Sequence, residues 1–142
     1  MDEKPKIIKI DLDTEIQKAI TNAMTRNEQR KVMRFYILDN LRGTYTARDG
    51  RKIVISNSTA DKFTHNASEI KLRIVPYLVE MIKTSTFKNI VSAYKTRPDF
   101  EYFAYYKTSF ELNSKIYVAE INVGITAIGE STLYEVCPIK EQ

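Results

Sequence analysis

Between residues 102 and 125 the hydrophobic pattern has a period of two. Tyr102, Ala104, Tyr106, Thr108, Phe110 and Leu112 fall on one side, and Phe103, Tyr105, Lys107, Ser109 and Glu111 on the other. After Asn113-Ser114 the alternation resumes, with Tyr117, Ala119, Ile121, Val123 and Ile125 on one side and Glu120 and Asn122 on the other. Two such runs around a two-residue turn predict a β-hairpin. Closing it at Leu112 and Lys115 sets Phe110 opposite Tyr117, Thr108 opposite Ala119, Tyr106 opposite Ile121 and Ala104 opposite Val123. One register therefore satisfies the whole apolar face. The same register sets Lys107 opposite Glu120 on the polar face.

Upstream the period lengthens. Ile7, Ile8 and Ile10 suit a short edge strand or an extended arm, flanked by Lys4, Lys6 and Lys9. From Asp13 or Thr14 as cap, Ile16, Ala19, Ile20, Ala23 and Met24 form a helical stripe. A second helix buries Met33, Tyr36, Ile37 and Leu41 and ends at Gly43, with Arg26, Arg30, Lys31 and Arg34 on its other face. Asp49-Gly50 marks a small hairpin between strands at 44–47 and 52–55. Ser56-Asn57-Ser58-Thr59 offers N-caps for a short helix through Asn66 that carries Lys62 and His65. A further helix is predicted over 76–84, a strand over 90–95, a turn at Arg97-Pro98-Asp99 and a last strand over 131–139. The register of that last strand is open: its inward set is either Thr132, Tyr134 and Val136 or Ser131, Leu133 and Glu135.

Helices first and strands later predict an α+β fold, with N-terminal helices packed on one face of a C-terminal antiparallel sheet. A chain of 142 residues is expected to form a single domain, with residues 1–43 helical and 44–142 holding the hairpin, short helices and sheet. Charge sharpens this picture locally. Residues 26–52 carry eight basic and three acidic residues, whereas residues 53–142 carry ten of each. Such a segment fits either a polyanionic partner or a solvated helix face. One Cys, with no signal peptide and no apolar run of membrane-spanning length, points to a protein that works in the cytoplasm, its own or that of a target cell, without a membrane partner.

One Cys and one His cannot build a closed zinc site, and the isolated glycines form no phosphate-cradling loop, so no metal or cofactor is expected. No nucleophile elbow frames any serine. Metal-independent RNA cleavage remains feasible. In that reaction the 2′-hydroxyl attacks its own phosphate, and the protein supplies a base, an acid and a cation.

The helical first half, the stretch NSTADK with a histidine after it, the helix IVPYLVEMIK, the run EYFAYYKTSFELNSKIYVAEINVG and STLYEV together resemble the barnase–EndoU–colicin–RelE-like nuclease fold. The resemblance is closest to domains of that kind in phage polyvalent proteins and contact-dependent bacterial toxins, and it covers about residues 44–137. It implies a metal-independent ribonuclease of toxin type, acting on RNA and paired with an immunity or inhibitor protein. Position by position it points to His65, Lys62, Lys107, Thr132 and Tyr134 as catalytic. Glu120 is a candidate base if His65 is the acid. The chain has one histidine where the EndoU branch uses two, so acid and base stay interchangeable here. Arg26, Arg30, Lys31, Arg34 and Tyr105 are the nucleic-acid-binding candidates. The alternative is a non-catalytic nucleic-acid- or protein-binding module, in which Lys107 and Glu120 form a cross-strand charge pair contributing about 0.2–1 kcal/mol.

Overall fold

Asn113 and Ser114 both take positive φ, 53° and 65°, which is the condition for a tight hairpin turn whose twist matches its strands. In the computed structural model, which describes residues 6–93 and 99–142, this turn joins β5 (Tyr102–Leu112) to β6 (Lys115–Ile125). Every expected cross-strand pair is formed, from Leu112 with Lys115 through Ala104 with Val123. Ala104, Tyr106, Thr108, Phe110, Ile121 and Val123 are buried, so burial of one face has selected the register.

The remaining elements, in chain order, are β1 (Ile7–Lys9), α1 (Glu15–Asn22), α2 (Arg26–Tyr36) continued by a π-helical turn to Leu41, β2 (Gly43–Thr46) and β3 (Lys52–Ile55). They continue with α3 (Asn57–Thr64), α4 (Glu69–Arg73), a 3-10 turn over Val75–Tyr77, α5 (Leu78–Thr84), β4 (Thr86–Ser92) and, after the hairpin, β7 (Ser131–Glu141). The strand expected over 90–95 begins earlier, at Thr86. Lys95, and Arg97 with Pro98 of the expected turn, lie outside the described residues.

The fold is α+β, but the sheet is curled and mixed rather than antiparallel. Its order is β1-β5-β6-β7-β3-β2, with β4 also on β5. β1 runs parallel to the end of β5, and β3 runs parallel to the start of β7. Both exceptions join elements far apart in the chain, which no local pattern reports. The N-terminal helices also depart from expectation. α1 and α2 make their main contacts with each other and with α3 and α4, and it is α3 that meets β7. One buried cluster still unites Ile20 of α1, Met33 of α2, Phe63 of α3 and Leu72 of α4 with the sheet residues.

The register of β7 resolves as a mixture of the two alternatives. Val123 pairs with Leu133 and Ile121 with Val136, so the β7 side carries one extra residue around Tyr134 and Glu135. This bulge turns both Leu133 and Val136 inward, and it leaves Thr132 and Tyr134 only partly covered.

The β2–β3 hairpin tip is fastened to the central strand. The Tyr106 hydroxyl donates to Asp49 Oδ2 at 2.9 Å, and Arg51 Nη1 donates to Ser131 Oγ at 3.3 Å. Burial, reinforced by the Asp49 carboxylate and opposed by Arg51, pushes the Tyr106 pKa up to about 12. The folded value lies above the ordinary value of about 10, so the stabilisation is fully present below pH ~10 and is lost as pH rises through about 12. An alkaline titration followed by tyrosinate absorbance should show one tyrosine ionising near 12 together with loss of structure. Tyr106→Phe should remove that component.

Candidate functional site

α3 starts where β3 stops because Ser56 closes a reciprocal capping box with Thr59. The helix is thereby set against β7. The β3–β7 ladder ends at Val54 and Thr132, and the Thr59 hydroxyl then donates to Leu133 O at 2.8 Å. Ser58 and Thr59 stand four and three positions before Lys62, hence on its side of the helix, and that side fronts β7.

Between them lies a cleft of about 330 Å³, lined by Ser58 and Lys62 of α3, Thr132 and Tyr134 of β7, and Asp99 with Phe100. That volume suits a small ligand or one unit of a polymer. Lys62 Nζ stands 5.0 Å from the centre of the Tyr134 ring. Behind it, Phe100, Phe103 and Tyr134 meet edge to face, with centroids 5.3 to 5.8 Å apart. Phe100 packs on Gly124, where an added Cβ would come within 2.6 Å of the ring. The cleft thus offers one ammonium, one carboxylate, several hydroxyls and an aromatic wall. Among the described residues, no group of three or more His, Cys, Asp or Glu side chains is placed to hold a metal ion.

The sequence candidates divide. Lys62, Thr132 and Tyr134 come together here. Lys107 and Glu120 border a different surface, with Lys88 and Lys140. His65 caps the C-terminus of α3, its N–H donating to Asp61 O at 3.2 Å; it is exposed and lines neither cleft.

Lys107 and Glu120 are cross-strand partners, as expected, but their side chains do not pair. Glu120 Oε2 instead accepts from Lys88 Nζ at 2.7 Å. The cause is a bulge in β4 between Phe87 and Asn89. It takes Lys88 out of the ladder, so that its long side chain reaches beyond β5 to β6.

Half of the basic face of α2 is occupied with structure. Arg34 Nε donates to Asp61 Oδ1 at 2.7 Å, and Arg30 donates to Ala67 O and Asn27 Oδ1. Arg26 and Lys31 are exposed. Tyr105 is partly buried on the Lys107 face.

Asp99 and Phe100 were not recognisable as site residues, since Asp99 reads as the end of a turn and Phe100 carries no motif. The serine and threonine of the α3 cap read only as helix punctuation. Lys88 and Lys140 carry no motif at all.

No described helix is long and apolar enough to cross a membrane. No curated protein and no solved structure matches the chain. Residues 24–134, which include Lys62, Asp99, Lys107, Thr132 and Tyr134, match the family described as large polyvalent protein-associated domain 3, and the chain belongs to that family.

Proposed function

We propose that this domain is a metal-independent ribonuclease of toxin type, related to the barnase–EndoU–colicin–RelE-like nucleases, and that its reaction centre is the cleft between α3 and β7. The observation that carries the reading is the meeting of Lys62 with Thr132 and Tyr134, from segments far apart in the chain, beside a carboxylate at Asp99.

In the proposed reaction the Asp99 carboxylate takes the proton from the ribose 2′-hydroxyl, and the 2′-oxygen bonds to phosphorus. The bond from phosphorus to the 5′-oxygen breaks, and that oxygen takes a proton from the Tyr134 hydroxyl. Lys62 holds the negative charge on the non-bridging oxygens, and Thr132 orients the phosphate. Phe100 and Tyr134 give a base a surface to stack on. His65, outside the cleft, has no step in this scheme. The family description associates such domains with large polyvalent proteins. We read this chain as one of them, acting on cytoplasmic RNA and checked by an immunity or inhibitor protein.

Incubation with total RNA in EDTA should give fragments ending in 2′,3′-cyclic phosphate and 5′-hydroxyl. An oligonucleotide lacking the 2′-hydroxyl should stay whole. Asp99→Asn should stop cleavage, whereas His65→Ala should leave it unchanged. Intact RNA at high protein concentration would overturn the reading and favour a non-catalytic binding module.

A further inference from the structure

Two shallow clefts of about 280 Å³ each adjoin Lys107, and both are also lined by Lys88. Lys6 borders one and Lys140 the other. Of these four lysines, Lys6 is paired with Glu80 at 3.5 Å and Lys88 with Glu120 at 2.7 Å. Lys107 and Lys140 are exposed and have no carboxylate partner among the described residues. The β4 bulge is what produces this result. By delivering Lys88 to Glu120, it removes the one acid that the hairpin register sets opposite Lys107. A cross-strand charge pair is thereby exchanged for an ammonium with no bonded carboxylate in the middle of a sheet face.

That face leads to the α3–β7 cleft. Phe103, Tyr105 and Lys107 alternate along one side of β5, whose pairing with β6 is regular throughout. Phe103 touches Tyr134 and Phe100 of the cleft wall. Four residue steps along the strand lead from Phe103 to Lys107, about 13 Å. An aromatic-to-cationic path of this length joins the two sites without leaving one strand.

We infer that Lys107 and Lys140, with Lys88 beside them, form a phosphate-binding track that holds the backbone of single-stranded RNA outside the reaction centre. The nuclease reading supplies the choice of RNA; the track itself rests on the charge and the geometry. Lys107 is then a substrate-positioning residue and takes no part in bond breaking.

The test uses the full chain and a fluorescein-labelled RNA whose 2′-oxygens are methylated, so that it binds but cannot be cut. Lys107→Ala with Lys140→Ala should weaken binding by about tenfold or more at low salt. The slope of log affinity against log salt should fall by about 1.4, the value for two lost phosphate contacts on a single strand. Lys18→Ala, at an exposed position of α1, should change neither. The same pair of substitutions should raise KM for a cleavable RNA and leave kcat in place. Unchanged binding and slope in the double variant would overturn the track. So would binding of a polyglutamate peptide as tightly as the RNA, which would identify an acidic protein as the partner. Failure of the nuclease reading looks different, because it abolishes cleavage and leaves this binding intact.

Discussion

Lys62→Ala is expected to slow RNA cleavage by about two to four decades, the usual range for losing a positioned proton-transfer or charge-stabilising group. The fold should survive. Lys62 is exposed on α3, and among the described residues it stands over the Tyr134 ring at 5.0 Å, an exposed cation–π pair contributing about 0.5–1 kcal/mol. If Lys62 served only to cover that ring, the variant would lose this small stability and no rate. Lys62→Arg keeps the charge on a stem of similar reach and should recover part of the activity, whereas Lys62→Met keeps the cover and should recover none. Tyr134→Phe completes the set. It retains the aromatic wall with Phe100 and Phe103 and removes only the hydroxyl, so a loss of rate there separates proton delivery from packing. Single-turnover rates with a labelled oligonucleotide, set beside urea midpoints for each variant, distinguish these outcomes.

The largest expected loss of stability comes from Phe63→Ala, about 3–5 kcal/mol. Phe63 is fully buried on the inner face of α3, and Lys71 Nζ lies 4.9 Å from its ring centre while bonding Glu135 of β7 at 2.9 Å. The ring therefore joins α3, α4 and β7 at one point. Total stabilities of domains this size run to about 5–15 kcal/mol, so this one cavity removes a large share. A urea titration should show the midpoint falling sharply at nearly constant slope. Ser56→Ala, which removes the cap of the same helix, should cost only about 0.5–2 kcal/mol. The contrast separates helix docking from helix formation.

What the sequence made legible was what short range decides. Residues 102–125 specify their own pairing, because one buried face and a tight turn admit a single register. The Asp49-Gly50 hairpin was readable for the same reason, and the caps at Thr14 and Ser56 were each among the candidates that their segments offered. The parallel joins of β1 to β5 and of β3 to β7 were not, since each pairs residues separated by most of the chain. Strict alternation also misleads wherever a bulge intervenes. In β7 the bulge reconciles two registers that looked exclusive, and in β4 it breaks the expected Lys107–Glu120 pair. The candidate site was legible by half. Lys62, Thr132 and Tyr134 meet, whereas Asp99 enters from ahead of β5, where no periodicity marks it, and His65, at the end of α3, stands outside that cleft.

The irregularity in β4 also bears on how two copies of the molecule would meet. All seven residues of this strand are exposed, including Phe87, Ile90 and Val91, and β5 is its one strand partner among the described residues. A straight apolar strand with a vacant rim is a template onto which another chain can add, the first step towards fibres. The displaced Lys88 interrupts that template near its start, because two molecules joined rim to rim would have to accommodate an out-of-register residue and a charge committed to Glu120. Straightening the strand by deleting Lys88 would give it a continuous sticky rim. The same irregularity that leaves the Lys107 ammonium without a bonded carboxylate thus also breaks the continuity of the β4 rim.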